Sequence, residues 1–239
     1  MYQERPSRIP GAVVWSHGAA PAGTGLVLPD GCMDLLLWNG ELVVAGPDTR
    51  AHEFSRRPEH RITGLRLAPG AGPRVFGIRA FEVRDQRVPL AGIWPAREVR
   101  ELTERMLAAP DPGAALESVA GRRLAAAAEG TAPGARAEGA EGPLADAVVE
   151  LLRRGYGVRE VAREVGLSER QLHRRCLDAF GYGAKTLARV LRMRRALSLA
   201  DGGTPLSETA FRAGYADQAH LAREVRALAG TSMTGLIRA

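Results

Sequence analysis

Residues 158–187 read VREVAREVGLSERQLHRRCLDAFGYGAKTL, and residues 206–236 read LSETAFRAGYADQAHLAREVRALAGTSMTGL. The two stretches share one template. Each has an alanine four residues before a glycine, Ala162 and Gly166, then Ala210 and Gly214. Each then has a leucine with an arginine two residues on, Leu172 and Arg174, then Leu221 and Arg223. Each closes on a glycine followed six residues later by a leucine, Gly181 to Leu187 and Gly230 to Leu236. The second copy is one residue longer between its first glycine and its leucine. A short helix, a permissive glycine turn and a second helix satisfy this spacing. The pattern therefore predicts tandem helix-turn-helix units.

Within the first unit, Val158, Val161, Ala162 and Val165 fall on one face of a short helix, and Ser168 is placed to cap the next, SERQLHRRCLDAF. Leu172, Cys176 and Leu177 then face inward, which leaves Arg170, Gln171, His173, Arg174 and Arg175 on the other sides. In the second unit Asp217 caps QAHLAREVRALA; Leu221 and Val225 face the core, and Gln218, Ala219, His220, Ala222 and Arg223 remain outside. Arginine, glutamine and histidine at the start of such a helix suit base edges and phosphates. The alternative for Arg174 and Arg223 is a phosphate contact or a pair with Glu169 or Glu224. Residues 184–200, AKTLARVLRMRRALSLA, predict a connecting helix of roughly 25 Å. That length could set two reading helices about one DNA turn apart, near 34 Å. Arg192, Arg194 and Arg195 on it are phosphate contacts or surface ion pairs.

Charge agrees with this division. The net charge is +6, and all of the excess lies from Pro143 onward, where 16 basic residues face 10 acidic ones; residues 1–142 carry 17 of each. A basic half joined to a neutral half suggests that one half binds a polyanion. Lys185 is the only lysine, so the positive charge is almost all arginine. Cys32 and Cys176 form no CxxC or zinc pattern and read as thiols of a reducing compartment. No charged-then-apolar leader opens the chain and no apolar run reaches about 18 residues, so a soluble, cytoplasmic protein without membrane contact is expected.

Upstream, residues 11–78 hold the short apolar runs GAVVWS, GLVLP, DLLLW, ELVVAG and RITGLRLA, separated by turn residues. Asn39-Gly40 predicts a type I′ hairpin between two of them. The strands suggest a small sandwich or barrel. AREVRELTERMLAA and AALESVAGRRLAAAA predict helices that pack on the strands, form an arm between domains, or pair two chains. Residues 129–142, EGTAPGARAEGAEG, read as a linker, and Pro143 opens the helix PLADAVVELLRR.

Residues 143–239 resemble the AraC/XylS family of bacterial transcription regulators. The matching residues are the A-x3-G pairs, the L-x-R pairs, and GYADQAHLAREVRALAG, close to the family's G-F/Y-x-D-Q-S-H-L-x-R-x-F-R-x3-G. The chain departs from the family at Ala184, Leu187, Met233 and Leu236, where proline and tyrosine are usual, and at Val225, where phenylalanine is usual. The resemblance implies base contact by the early exposed residues of each reading helix. Carried over, these are Arg170, His173 and Arg174, then Gln218, His220 and Arg223, with Gln171 beside them. The segment LPDGCMDLLLW…VAGPDTRAH…GLRLAPGAGP resembles an N-terminal module of such regulators and, more broadly, their cupin-like effector domains. A barrel of this kind could hold a small molecule, with Cys32, Asp34, Trp38 and Arg66 as candidates to line it; for each of the four a core or turn role is the simpler alternative.

The expected fold is α+β and multidomain. Residues 1–95 form a β-rich, cupin-like sensor of β-barrel type, 96–128 a helical arm, 129–142 a flexible linker, and 143–239 an all-α double helix-turn-helix domain. The expected function is a sequence-specific DNA-binding transcriptional regulator, modulated by a small effector on the N-terminal domain. Its expected partner is double-stranded DNA; a small-molecule effector, RNA polymerase and a second copy of the chain are further partners open to it. No cofactor, metal or catalytic residue is expected. There is no G-x-S-x-G, P-loop or G-x-G-x-x-G. His17, His52 and His60 make no H-x-H metal pattern, and Cys32 has no histidine neighbour of the kind an alkyl-transfer cysteine needs. A cupin-like small-molecule- or metal-binding enzyme fused to a DNA-binding module is the alternative from a different class.

Overall fold

The computed structural model describes residues 2–18, 22–56, 61–131 and 142–237. The linker expected at 129–142 falls largely on 132–141, outside the described residues.

The N-terminal half contributes strands β1 (Tyr2–Pro6), β2 (Val13–His17), β3 (Gly23–Val27), β4 (Asp34–Trp38), β5 (Glu41–Ala45), β6 (His52–Arg56), β7 (Ile62–Arg66) and β8 (Arg87–Pro89). Six of them form one antiparallel sheet in the order β1-β2-β7-β4-β5-β8; β3 and β6 pair separately as a two-stranded ribbon. The β4–β5 turn is the hairpin expected from Asn39-Gly40. Both residues have positive φ, 49° and 87°, and Trp38 stands opposite Glu41.

Register decides which side chains share a face. Val14, Leu65, Leu35 and Val44 lie abreast across β2, β7, β4 and β5, and all four are buried. Three helices cover this face: α1 (Gly72–Phe76), α2 (Ala96–Ala108) and α3 (Pro112–Ala128). Val99, Leu102 and Met106 recur at helical spacing along α2, and Leu116, Val119 and Ala120 do so on α3; all join the core of the sheet. Pro112 at the first helical position and the Asp111 carboxylate, which accepts the Ala114 N–H at 3.0 Å, start α3. Residues 96–128 thus complete the core of the strand domain.

The C-terminal half contributes α4 (Gly142–Arg153), α5 (Val158–Glu164), α6 (Glu169–Phe180), α7 (Ala184–Asp201), α8 (Leu206–Arg212), α9 (Gln218–Ala229) and α10 (Met233–Ile237). It holds two separate cores. The first gathers Val148, Leu152, Val161, Ala162, Leu172, Cys176 and Phe180; the second gathers Ala210, Tyr215, Leu221, Val225, Leu228 and Met233. The long helix α7 belongs to both, giving Leu187 and Leu191 to the first and Met193, Ala196 and Ala200 to the second. Its 18 residues span about 27 Å. The residues that depart from the AraC/XylS pattern at 184, 187, 225 and 233 are all buried, so apolar packing replaces the usual proline and aromatic side chains. The whole is the α+β, two-domain architecture expected.

Candidate nucleic-acid interface

Each unit builds a second helix of twelve residues behind a glycine turn. Gly166 and Gly214 have φ of +68° and +80°, a left-handed conformation that a β-carbon would strain. Two residues after Gly166, Ser168 caps α6. Its Oγ accepts the Gln171 N–H at 3.2 Å, while its own N–H donates to Gln171 Oε1 at 2.9 Å. Three residues after Gly214, Asp217 caps α9, its Oδ1 accepting the His220 N–H. The helices then end alike, at Gly181 and Gly230, both left-handed.

Counting from the caps aligns the outer faces of the two helices. Arg170 matches Ala219, Gln171 matches His220, His173 matches Ala222, Arg174 matches Arg223, and Arg175 matches Glu224. Leu172 and Leu221 are 0% and 1% exposed and anchor each helix inward. Arg170, Gln171, His173 and Arg174 are exposed on α6, as are Gln218, Ala219, Ala222 and Arg223 on α9. Among the described residues no ion pair or side-chain hydrogen bond engages Arg170, Arg174 or Arg223. The two surfaces are unequal. The first offers two arginines and a histidine, the second one arginine flanked by alanines.

Two candidates do more than face outward. The carboxamide oxygen of Gln171 is occupied in the Ser168 cap, which leaves its NH2 group outward. His220 is half-buried; its Nδ1 accepts the Ala216 N–H at 3.4 Å, and its ring stands edge-on to Tyr215, with centroids 5.3 Å apart. The Ser168-x-x-Gln171 spacing is itself a capping-box signal in the sequence.

One residue here, Arg189, escaped sequence reasoning, and two others take different partners from those expected. Glu224 does not pair with Arg223. It accepts Arg189 Nε at 2.8 Å and Arg189 Nη2 at 3.2 Å from α7, with Arg192 Nη2 3.8 Å away. Arg192 also lies 4.6 Å over the Tyr215 ring, which gives it a packing role between α7 and the second unit. The neighbouring guanidinium of Arg189 holds the Glu224 carboxyl below its ordinary value. Arg194 and Arg195 are exposed.

The effector candidates lie on the sheet face away from α1–α3. Asp34 and Arg66 are cross-strand partners on β4 and β7. Arg66 Nε is 3.1 Å from Asp30 Oδ2 and 3.8 Å from Asp34 Oδ1, and Trp15 Nε1 donates to Asp34 at 2.7 Å. Burial pushes the Asp34 carboxyl up to about 6. Cys32 sits just before β4, its N–H bonded to Asp30 and its thiol pushed well up by burial. Trp38 is at the far end of the same strand, in an apolar cluster with Leu36, Val43, Ala45 and Trp15. Its buried Nε1 has no hydrogen-bond partner among the described residues. Asp34, Arg66 and Cys32 are therefore neighbours, and Trp38 stands apart from them. A cavity of about 730 Å³ opens elsewhere, among His17, Leu37, Ile62, Met106 and Leu107, and none of the four candidates lines it. No helix among the described residues is long and apolar enough to cross a membrane, and no group of three or more His, Cys, Asp and Glu among them is placed to hold a metal ion.

Comparison with known proteins follows the same division. The model of a helix-turn-helix domain matches residues 161–239, and that of a domain of unknown function (DUF6597) matches residues 12–89. No curated protein matches the chain. Among solved structures, a probable AraC family transcriptional regulator from Rhodopseudomonas palustris is 21% identical with a TM-score of 0.35, over 40% of this chain and 95% of that one. An apo ToxT variant from Vibrio cholerae is 12% identical with a TM-score of 0.49, over 98% of this chain and 99% of that one. ToxT bound to an unsaturated fatty acid is 10% identical with a TM-score of 0.47, over 98% and 96%. Residues 161–239 thus match a helix-turn-helix domain, in agreement with the paired helices described above. A separate N-terminal module, matched at residues 12–89, precedes it.

Proposed function

We propose that the chain is a sequence-specific transcriptional regulator whose α6 and α9 enter successive major-groove segments of one duplex. The observation that carries this reading is the set of exposed arginines, Arg170, Arg174 and Arg223, without a side-chain partner among the described residues, on the N-terminal halves of two matched helices. Arginine at that position reaches guanine O6 and N7 bidentately, or holds phosphate. His173 and Gln218 complete the base-reading set. Gln171 and His220 brace the caps and offer their remaining polar atoms to the backbone or base edges. The unequal surfaces predict unequal half-sites, the α6 half richer in guanine and the α9 half admitting thymine methyls against Ala219 and Ala222. Selecting the full chain against randomised duplexes tests this. Two enriched base blocks support it, and no enrichment sinks it.

A small effector on the N-terminal domain is the finer part of the proposal. The buried N–H of Trp38, without an acceptor among the described residues, supports it, because such a donor costs about 1–3 kcal/mol unless something accepts from it. Trp38 and the Asp34–Arg66–Cys32 group occupy two ends of one sheet face. Thermal-shift screening of the full chain, with Trp38→Phe as the comparison, tests it. A compound that stabilises both proteins equally does not bind at Trp38.

A further inference from the structure

The two reading helices end against one stretch of the N-terminal domain. At the end of α6, Arg84 Nη1 donates to the Gly181 carbonyl at 3.1 Å. At the end of α9, the Ala51 N–H donates to the Leu228 carbonyl at 2.7 Å. Carbonyls in the last turn of a helix lack partners within it, so each bond satisfies a group that the helix itself leaves open. Leu28, just past β3, also packs against the second unit's core.

Arg84 and Ala51 belong to two loops tied tightly together. Gly46 N–H donates to the Gln86 carbonyl at 2.9 Å, and Asp85 N–H to the Pro47 carbonyl at 3.1 Å. Thr49 donates to the Asp85 carboxylate from its N–H at 2.7 Å and from its hydroxyl at 3.0 Å. Arg87 grips Asp48 with two nitrogens, at 2.8 and 2.7 Å. Asp85 itself has φ of +58°, a conformation a non-glycine residue keeps only where its surroundings hold it.

These contacts close a ring. The helices α6 and α9 sit in separate cores that share only α7. Each core packs on its own part of α7, so flexing of that one helix is the motion that can change the distance between α6 and α9; a second tie from α6 through the paired loops to α9 opposes it. The ties hold the C-terminal ends. The exposed arginines lie toward the opposite ends of helices that, at twelve residues, are about 18 Å long. The N-terminal domain therefore grips both reading helices without covering what they read with.

We propose that the paired loops 46–52 and 84–87 are a clasp that sets the separation of α6 and α9, and with it the spacing of the two base blocks the chain selects on DNA. This rests on the DNA-reading proposal above. The test selects full-length protein against randomised duplexes several helical turns long and reads both base identity and spacing. Arg84→Met cuts the tie to α6. Asp85→Gly removes the carboxylate that holds Thr49 while still accommodating the left-handed backbone. The wild type is expected to enrich two blocks at one dominant separation. Both variants are expected to enrich the same blocks over a broader range of separations, with affinity at the dominant one lower by about 2–10-fold, as for one lost hydrogen bond. Arg84 is about half exposed and outside both cores, so Arg84→Met keeps the test decisive if Asp85→Gly does not fold. An unchanged separation and breadth in Arg84→Met overturns the clasp and leaves DNA reading standing. A wild type that enriches no block overturns both.

Discussion

Arg189 on α7 holds Glu224 on α9 with two nitrogens on two oxygens, at 2.8 and 3.2 Å. This fork sets α9 against the connecting helix, and Arg192 adds its charge to the same carboxylate. The first unit carries Arg175 at the matching position, and among the described residues it has no equivalent anchor.

Glu224→Ala should destabilise the protein by about 1–3 kcal/mol, because it leaves two half-buried guanidiniums without their acceptor. Urea denaturation checks it. Glu224→Gln should recover part of the loss by keeping one acceptor. A loss below a few tenths of a kcal/mol in Glu224→Ala would show that the fork contributes little.

Arg174→Ala and Arg223→Ala should each weaken a selected duplex by about 1–3 kcal/mol if the arginine reads a base. Affinity for a shuffled duplex of equal length should change much less. Equal weakening on both duplexes would mark a phosphate contact and reassign the residue.

Asp34 titrates near 6 in the folded chain, raised chiefly by burial from its ordinary 3.8. The folded state then holds the proton more tightly than the unfolded state. Its stabilising effect is full below about pH 4 and is lost as pH rises toward 6. Denaturation midpoints measured across that window should fall with rising pH in the wild type, and the fall should shrink in Asp34→Asn. The same slope in both proteins would place the titration elsewhere.

Glu117 behaves oppositely. It is 5% exposed and accepts Arg5 Nη2 at 2.9 Å and the Arg8 N–H at 2.7 Å, tying the chain's start to α3. The hydrogen bond from Arg5 leads in lowering its carboxyl from 4.5 to about 2. Its contribution is present above about pH 4.5 and is lost as pH falls toward 2. Glu117→Gln should lower stability at neutral pH and flatten that acid-side loss, read by the same denaturation series.

What the sequence disclosed was what short-range spacing encodes. The Ala-Gly and Leu-Arg intervals placed α5, α6, α8 and α9, and Asn39-Gly40 placed the β4–β5 hairpin, because each depends on residues within a turn or two. What it concealed depends on distant partners. Strand β1, YQERP, is exposed throughout and shows no apolar alternation; only its pairing with β2 makes it a strand. The β3–β6 ribbon joins segments some thirty residues apart. The Arg189–Glu224 fork and the ties at Gly181 and Leu228 have no local signature. Gln171 shows the reverse case: its capping-box spacing was present in the sequence, yet its polarity and position read equally well as a base contact.

Sequence-specific binding by the paired helices is tested most directly by titrating full-length protein against its selected duplex and a shuffled duplex at one physiological salt concentration. The selected duplex should bind at least about 10³-fold more tightly. Equal affinity for the two, with both falling together as salt rises, would mean that the basic half holds DNA by its phosphates alone.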